Sequence, residues 1–333
     1  MALSAVDICS AVDAELLKWF ERSNGVYSLF EAVRAGDEKV LRDRLAENES
    51  PNAVNELGDA PLHIAAAEGQ APLVLLLLEA GADALQKNKE GKIASELAKD
   101  DATREACLSG EAKRHREMAL FPAVREDKAE VVSEALANGV NPNALAENNT
   151  LTLLGSAIEA GAMNTLKVLL KAGAKADYVQ PNGKSLLHLA AGLGRAEMIP
   201  LLLEAGADPM HRAGNGATAM HDAIWSGRTE AALALIPGYA SEGYNPDGWG
   251  NGYPISMAIW RGNTEVVRGL LAAGLDPNAA VFAAEPLTVQ AAKHNRLEIM
   301  KLLLQAGADK NARDASGKTA ADYATGAVAE LLR

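Results

Sequence analysis

The sequence predicts an all-α fold in which antiparallel helix pairs stack into a solenoid, with a β-turn finger after each pair. Three observations lead to this prediction. A short motif recurs at intervals of about 33 residues, a glycine follows each copy, and a leucine-rich stretch comes next. A constant interval of this length is typical of repeat proteins, whose units bury their apolar faces only against each other.

The recurring motif is clearest in residues 60–65, 185–190, 218–223 and 253–258. Its third residue marks the phase of about ten repeats, some of them truncated: Leu29, Leu62, Ser95, Leu120, Leu154, Leu187, Met220, Ile255, Thr288 and Ala321. The intervals between these markers are 33, 33, 25, 34, 33, 33, 35, 33 and 33 residues. A period held this closely indicates one structural unit repeated along nearly the whole chain.

The residue types suit the predicted elements. Ser185 and Thr218 precede the first helix of their repeats, where a hydroxyl side chain caps the free backbone N–H groups. Gly194 follows the helix that begins after Ser185, and glycine readily adopts the left-handed conformation that ends helices. The second helix has apolar residues at helical spacing, as in residues 266–271. We therefore expect leucines such as Leu77 and Leu303 to form the core.

This pattern resembles the ankyrin repeat, in which Thr-Pro-Leu-His-x-Ala-Ala is followed by glycine and later by Gly-Ala-Asp-x-Asn. The resemblance covers residues 24–333, although Phe121-Pro122, Leu153-Leu154-Gly155 and Thr288 depart from the motif. It implies stacked helix pairs and a concave face formed by the fingers and the exposed positions of the first helices. It also implies that the motif histidine forms a hydrogen bond with the neighbouring turn.

One interval of 25 residues interrupts the period. The segment before it, 91–98, resembles the final unit, 317–324, so a terminal repeat occurs within the chain. We predict a first array over 24–108, a connector over 109–118, and a second array over 119–333 that ends in a capping repeat. The alternative is one continuous solenoid that lacks a single finger.

Two flanking features complete this organisation. Residues 1–23 have apolar side chains on one helical stripe, at Ile8, Val12, Leu16 and Phe20, and are predicted to form an N-terminal capping helix. The basic run 113–116 is interpreted as a solvated helix face rather than a docking site.

Composition excludes several functions. The chain has 32 Lys and Arg against 44 Asp and Glu, a net charge of −12, which disfavours nucleic acid and anionic membrane surfaces. We find no targeting segment and no apolar run long enough to cross a bilayer, so a cytoplasmic location is expected. The two cysteines, Cys9 and Cys107, are too few for a disulfide framework.

The sequence does not predict catalysis. His63, His188 and His221 occupy the fourth position of the repeat motif, where their role is architectural by resemblance. No zinc, phosphate-loop or nucleophile motif occurs, and the glycine-rich run 248–252 is interpreted as a turn. We therefore predict that the protein is not an enzyme and needs no cofactor and no metal.

A partner surface is predicted from the position five residues after each marker, just before the helix-ending glycine. Along the chain it is occupied by Arg34, Ala67, Asp100, Arg125, Glu159, Gly192, Trp225, Trp260 and Lys293. Two tryptophans in consecutive repeats are expected to face outward side by side. Trp and Arg are typical of interface hot spots, and Arg228 and Arg261 lie close by in sequence.

The repeat between the two tryptophans is irregular. Pro237 is expected to end its second helix early, and residues 237–253 contain five glycines together with Tyr239, Tyr244, Trp249 and Tyr253. A long insert of this kind is a candidate binding loop. The alternative is that the insert folds on itself and its aromatic side chains fill space within the repeat.

These observations favour a module that binds another protein through its concave face and acts as a scaffold or inhibitor. The Ala-, Gly- and Leu-rich repeats are typical of bacterial proteins, which suggests an immunity or inhibitor protein. The alternative is an effector delivered into a host cell. The acidic net charge favours a basic partner. An enzyme assembled across repeats and a small-molecule sensor are the weaker alternatives.

Overall fold

The structure is a computed structural model that describes residues 28–146, 150–241, 254–279 and 285–333. The predicted capping helix over 1–23 lies outside these residues. Within them the regular secondary structure is helical, and extended backbone pairs at isolated antiparallel bridges such as Leu145 with Thr152 and Val179 with Ser185. The predicted all-α fold of helix pairs is confirmed.

The chain divides into two compact units, Met1–Glu117 and Met118–Arg333. The described helices of the first unit are α1 (Leu29–Ala35), α2 (Glu38–Ala46), α3 (Pro61–Ala67), α4 (Ala71–Glu79), α5 (Ala94–Leu97) and α6 (Asp101–Met118).

The helices of the second unit continue the numbering. They are α7 (Leu120–Arg125), α8 (Ala129–Ala137), α9 (Leu153–Ala160), α10 (Met163–Lys171), α11 (Leu186–Leu193), α12 (Ile199–Glu204, preceded by a 3-10 turn, Ala196–Met198), α13 (Ala219–Trp225), α14 (Thr229–Ser241), α15 (Pro254–Arg261), α16 (Thr264–Ala272), α17 (Leu287–Lys293), α18 (Leu297–Gln305), α19 (Ala320–Tyr323) and α20 (Gly326–Leu332).

Within each unit the helices form two layers. First helices pack on first helices, as α11, α13 and α15 do in succession, and second helices pack on second helices, as α14 does on α16. Each unit has its own continuous hydrophobic core, in which Leu77 and Leu303 are completely buried. The stacking of neighbouring repeats therefore provides the apolar burial that a single helix pair lacks.

The motif histidines join successive repeats. His63 Nδ1 accepts the Ala60 N–H at 3.1 Å, so Nε2 bears the proton, and it donates to the Lys92 carbonyl at 3.1 Å. His188 Nδ1 accepts from Ser185, and its Nε2 donates to the Ala217 carbonyl at 3.0 Å. Each ring thus caps its own helix and holds the finger of the next repeat, which confirms the architectural role for these two residues.

The two segments that resemble each other have the same local structure. Both α5 and α19 are four residues long, and an acidic side chain caps the N-terminus of each helix. Glu96 accepts the Ile93 N–H at 2.8 Å, and Asp322 accepts the Thr319 N–H at 2.7 Å. After α5 the chain continues in the 18-residue helix α6, whose C-terminal half contains the residues 109–118 that we interpreted as a connector.

One residue of the basic run differs from the solvated face that we expected. Arg114 is buried, whereas Lys113 and Arg116 are exposed. Its guanidinium forms ion pairs with Asp83 at 3.3 Å and with Glu117 at 3.7 Å. The helical period places one residue of this run against the rest of the unit, where carboxylates neutralise its charge.

The expectation that Pro237 ends its helix is wrong, because α14 continues to Ser241. Tyr239 lies in this extension, is only 3% exposed, and its hydroxyl forms a hydrogen bond with the Thr218 hydroxyl. A Cβ at Gly238 would lie 3.0 Å from Leu203 of the preceding repeat, so the helix packs closely there. Burial of this last turn compensates for the backbone hydrogen bond that proline cannot make.

Substitution of buried and exposed leucines in one helix tests the packing. Leu77 is completely buried in α4, whereas Leu75 of the same helix is 48% exposed. We expect Leu77→Ala to lower the free energy of unfolding by about 2–5 kcal/mol, since it leaves a cavity, and Leu75→Ala to lower it by less than about 1 kcal/mol. Urea denaturation followed by circular dichroism measures both. Equal effects would contradict the stacking.

The pH dependence of stability tests the histidine contact. Burial lowers the pKa of His188 below its ordinary value of 6.5. The unfolded chain therefore binds a proton at this residue more readily than the folded chain does, so stability falls as the pH drops below about 6.5. At about pH 7.5 we expect the His188→Gln variant to be less stable than the unaltered chain. On going to about pH 5.5 the variant should lose less stability than the unaltered chain does. Urea denaturation at both pH values measures this difference, and an unchanged pH dependence would refute it.

Candidate functional site

The row predicted from the sequence lies on the surface. All of its members are exposed except Gly192, which is partly exposed: Arg34, Ala67, Asp100, Arg125, Glu159, Gly192, Trp225, Trp260 and Lys293. The preceding residues of the same helices, such as Ile224 and Ile259, are buried. Because these buried residues face the core, the helices direct the members of the row that they carry toward solvent, whereas Asp100 lies between α5 and α6.

Trp225 and Trp260 form a stacked pair at the ends of α13 and α15. Their ring centroids are 5.8 Å apart and their planes differ by 15°. The side chains nevertheless remain 58% and 45% exposed. We call them the indole pair. An apolar surface of this kind on two adjacent repeats is a feature that marks interaction sites on soluble proteins.

Arg261 lies across the indole pair. Its guanidinium carbon is 4.7 Å from the ring centroid of Trp225 and 5.4 Å from that of Trp260, within the range of a cation–π interaction. The same group donates a hydrogen bond to the backbone carbonyl of Trp225. It thereby satisfies a carbonyl at the C-terminus of α13, where a cation is electrostatically favoured.

Open clefts flank Trp225 on two sides. One, of about 580 Å³, lies between the turn 226–229 and residues 261–265. The other, of about 230 Å³, is lined by the finger residues 215–217 together with Asp222 and Met257. The two clefts leave room for side chains of another molecule beside the indole ring.

The remaining predicted site residues do not all join this surface. Trp249, Tyr244 and Tyr253 lie outside the described residues. Arg228 is exposed and packs against Gly194 of the preceding repeat. A Cβ placed on that glycine would lie only 2.9 Å from the Arg228 Cδ. Of the predicted residues, the structure therefore brings together Trp225, Trp260 and Arg261.

Leu193, the last residue of α11, is not among the residues predicted from the sequence. It is 41% exposed and lies in the repeat before Trp225. Leu193 is six residues after its phase marker, as Arg261 is after Ile255. The exposed side of each first helix thus includes the sixth position as well as the fifth, and examination of both positions would have found it.

Ion pairs and hydrogen bonds form a polar cluster between the last two repeats. Lys293 forms ion pairs with Glu285 and, at 3.6 Å, with Asp314, and Tyr323 donates to Asp314 at 2.7 Å. The hydrogen bond that Lys293 donates to Glu285 raises the pKa of Lys293, and the one that Tyr323 donates to Asp314 lowers the pKa of Asp314. Both shifts move the pKa values further from 7, whereas general acid–base catalysis is most efficient with pKa values near the working pH.

Cys107, the one cysteine among the described residues, is buried. Burial raises the pKa of the Cys107 thiol to about 11, so the nucleophilic thiolate is scarce at neutral pH. In the same ranges, no three His, Cys, Asp or Glu side chains converge as metal ligands, and no helix is long and apolar enough to span a bilayer.

Family models for ankyrin repeats match most of the chain. One, for ankyrin repeats in three copies, matches residues 120–213, 173–247 and 255–333, and one for the single ankyrin repeat matches 57–89. The chain belongs to the ankyrin-repeat family. Its unmatched stretch between 89 and 120 contains α5 and α6, where the repeat period is interrupted.

A solved structure is similar to this ankyrin-repeat chain. The crystal structure of the human ASB11 ankyrin repeat domain is 27% identical, with a TM-score of 0.50. The similarity covers 64% of this chain and 95% of that domain. No protein with curated functional information matched the sequence. The ankyrin repeats indicate a protein–protein interaction module, and the fold is in general a non-catalytic scaffold.

The exposure of the indole pair leads to a prediction about stability. We expect a double variant, Trp225→Ala with Trp260→Ala, to lose about 0.5–1.5 kcal/mol of stability from the ring contact. Its melting temperature should fall by only a few degrees, because neither side chain is in the core. Thermal denaturation followed by circular dichroism measures this. If the double variant is already unfolded at room temperature and shows no cooperative transition, the rings belong to the core.

Proposed function

We propose that this ankyrin-repeat protein binds a partner protein through the face that bears the indole pair and acts as a scaffold or inhibitor. The observation behind the proposal is that two stacked indole rings remain about half exposed at the ends of adjacent first helices. Exposed aromatic surface of this size has a favourable free energy of transfer out of water. A partner that covers the rings gains that free energy.

The surroundings of the indole pair favour a protein partner. Leu193 is a further exposed apolar residue at the end of the first helix of the preceding repeat, and Arg261 places a cation over both indole rings. Tryptophan and arginine surrounded by clefts are typical of hot spots at protein interfaces. The resemblance implies that this face is the concave face of the stack.

A binding role of this kind acts by occupying the partner's surface. A protein held in this way is tethered if its own active site stays free, and inhibited if the contact covers that site. The net charge of −12 favours the approach of a partner with positive net charge at long range. Association would then slow as salt is added.

The proposal is tested by removal of the indole pair. The double variant Trp225→Ala, Trp260→Ala and the matched control Val131→Ala, a half-exposed residue of α8, would be immobilised beside the unaltered protein. Each would be exposed to lysate of the source organism, and captured proteins would be quantified by mass spectrometry.

We expect one or more proteins to be retained by the unaltered chain and the control but lost from the double variant. Calorimetry on the purified partner should then show a loss of about 2 kcal/mol or more per tryptophan, as for interface hot spots. Equal retention by all three proteins would refute the proposed role of this face.

A further inference from the structure

Four arginines recur at the junctions between consecutive repeats of the second unit. They are Arg195, Arg228, Arg261 and Arg296, at intervals of 33, 33 and 35 residues. Each lies at the C-terminal end of the preceding repeat's first helix. We call them the junction arginines.

The contacts of the junction arginines share one pattern. Arg195 donates to the carbonyls of Ile158 at 3.1 Å and Glu159 at 2.7 Å. Arg261 donates to the Trp225 carbonyl, and Arg296 to the Trp260 carbonyl. Arg228 packs on Gly194, the glycine that ends α11. All four therefore lie where helix carbonyls have a partial negative charge.

These guanidinium groups are not neutralised within the part of the chain that the structure describes. None of the four forms an ion pair with a carboxylate there, although acidic residues outnumber basic ones in the sequence. Other cations of the unit are paired, as Lys184 is with Asp222 at 2.8 Å and Arg268 with Glu265 at 3.5 Å. A helix terminus provides only about half a charge, so a positive stripe remains along these junctions.

Arg261 determines which charge a partner can bring to the indole pair. A ring face attracts cations, but here the chain's own guanidinium already lies over both rings. A partner lysine or arginine would have to displace it and would meet the charge of Arg261. A carboxylate is attracted by Arg261 and can accept N–H groups that Arg261 does not use for the Trp225 carbonyl. The two carboxylates that line the clefts, Asp222 and Glu265, are already paired with Lys184 and Arg268.

We infer that the indole pair and the junction arginines bind a segment of the partner protein in which acidic side chains alternate with apolar ones. The apolar side chains cover the indole rings and Leu193, and the carboxylates pair with Arg228, Arg261 and the neighbouring junction arginines. This inference rests on the proposed function and specifies the contact segment. The partner's net charge is a separate property that acts at longer range.

Single-stranded nucleic acid would combine the same two elements, since bases stack on indoles and phosphates bind arginine. The net charge of −12 disfavours it, because a polyanion experiences the whole chain at long range. A short peptide segment experiences mainly the local stripe. The observations therefore favour an acidic peptide.

The first experiment selects peptides from a random library displayed on phage, with the full chain as the immobilised target. Selection against the double variant Trp225→Ala, Trp260→Ala removes peptides that bind elsewhere. We expect the retained peptides to be enriched in Asp and Glu next to Leu, Phe or Trp.

The second experiment measures affinity for a synthetic peptide from this selection by calorimetry. Arg261→Gln keeps a side-chain N–H for the Trp225 carbonyl but removes the charge, and Arg261→Lys keeps the charge. We expect Arg261→Gln and Arg228→Gln each to weaken binding about tenfold, and Arg261→Lys to restore most of the affinity. Arg42→Gln, which removes an exposed and already paired arginine from α2 of the first unit, is the matched control and should bind as the unaltered chain does.

The outcomes separate this inference from the proposed function. Retained peptides that depend on the tryptophans but are neutral or basic would overturn the acidic segment and leave the proposed function intact. If no peptide depends on the tryptophans, both fail. Binding of an oligothymidylate that requires Trp225 and Arg261 would replace the acidic peptide with nucleic acid. Circular dichroism of every variant establishes that lost affinity does not reflect lost folding.

Discussion

A helix pair in this protein can bury its apolar face only against the next pair, and the rest of the structure depends on this constraint. The first helices pack in one layer and the second helices in another. The motif histidine adds a directional contact, because His63 and His188 each reach a carbonyl 29 residues further along the chain. Packing supplies the free energy, and the histidine maintains the register between neighbouring repeats.

A regular register converts positions in the sequence into rows on the surface. Trp225 and Trp260 are 35 residues apart in the chain, yet their rings stack because they occupy the same position in adjacent repeats. The same rule places Arg195, Arg228 and Arg296 at equivalent positions of three junctions. At the third junction Arg261 precedes the helix-ending Gly262, and the residue after that glycine is Asn263. Asn263 donates a hydrogen bond to the Thr229 hydroxyl of the preceding repeat.

The structural role of these arginines is compatible with the binding role that we propose for them. A guanidinium at a helix C-terminus satisfies carbonyls that no backbone N–H can reach, which is sufficient reason for its presence. The requirement uses only part of its hydrogen-bonding capacity and little of its charge. What remains is available at the surface, beside apolar rings that are also incompletely buried. A repeat protein can in this way combine stacking contacts and binding contacts in one side chain.

The repeat period in the sequence was sufficient to predict the helix-pair fold, the buried leucines and the outward direction of the tryptophan row, because periodicity reports which side of a helix each residue occupies. Only the tertiary structure decided that the two indoles stack beneath Arg261, that Arg114 is buried with two carboxylates, and that α14 continues past Pro237 to bury Tyr239. These features depend on distances between side chains of different elements. Such distances result from packing in three dimensions, and no local pattern in the chain encodes them.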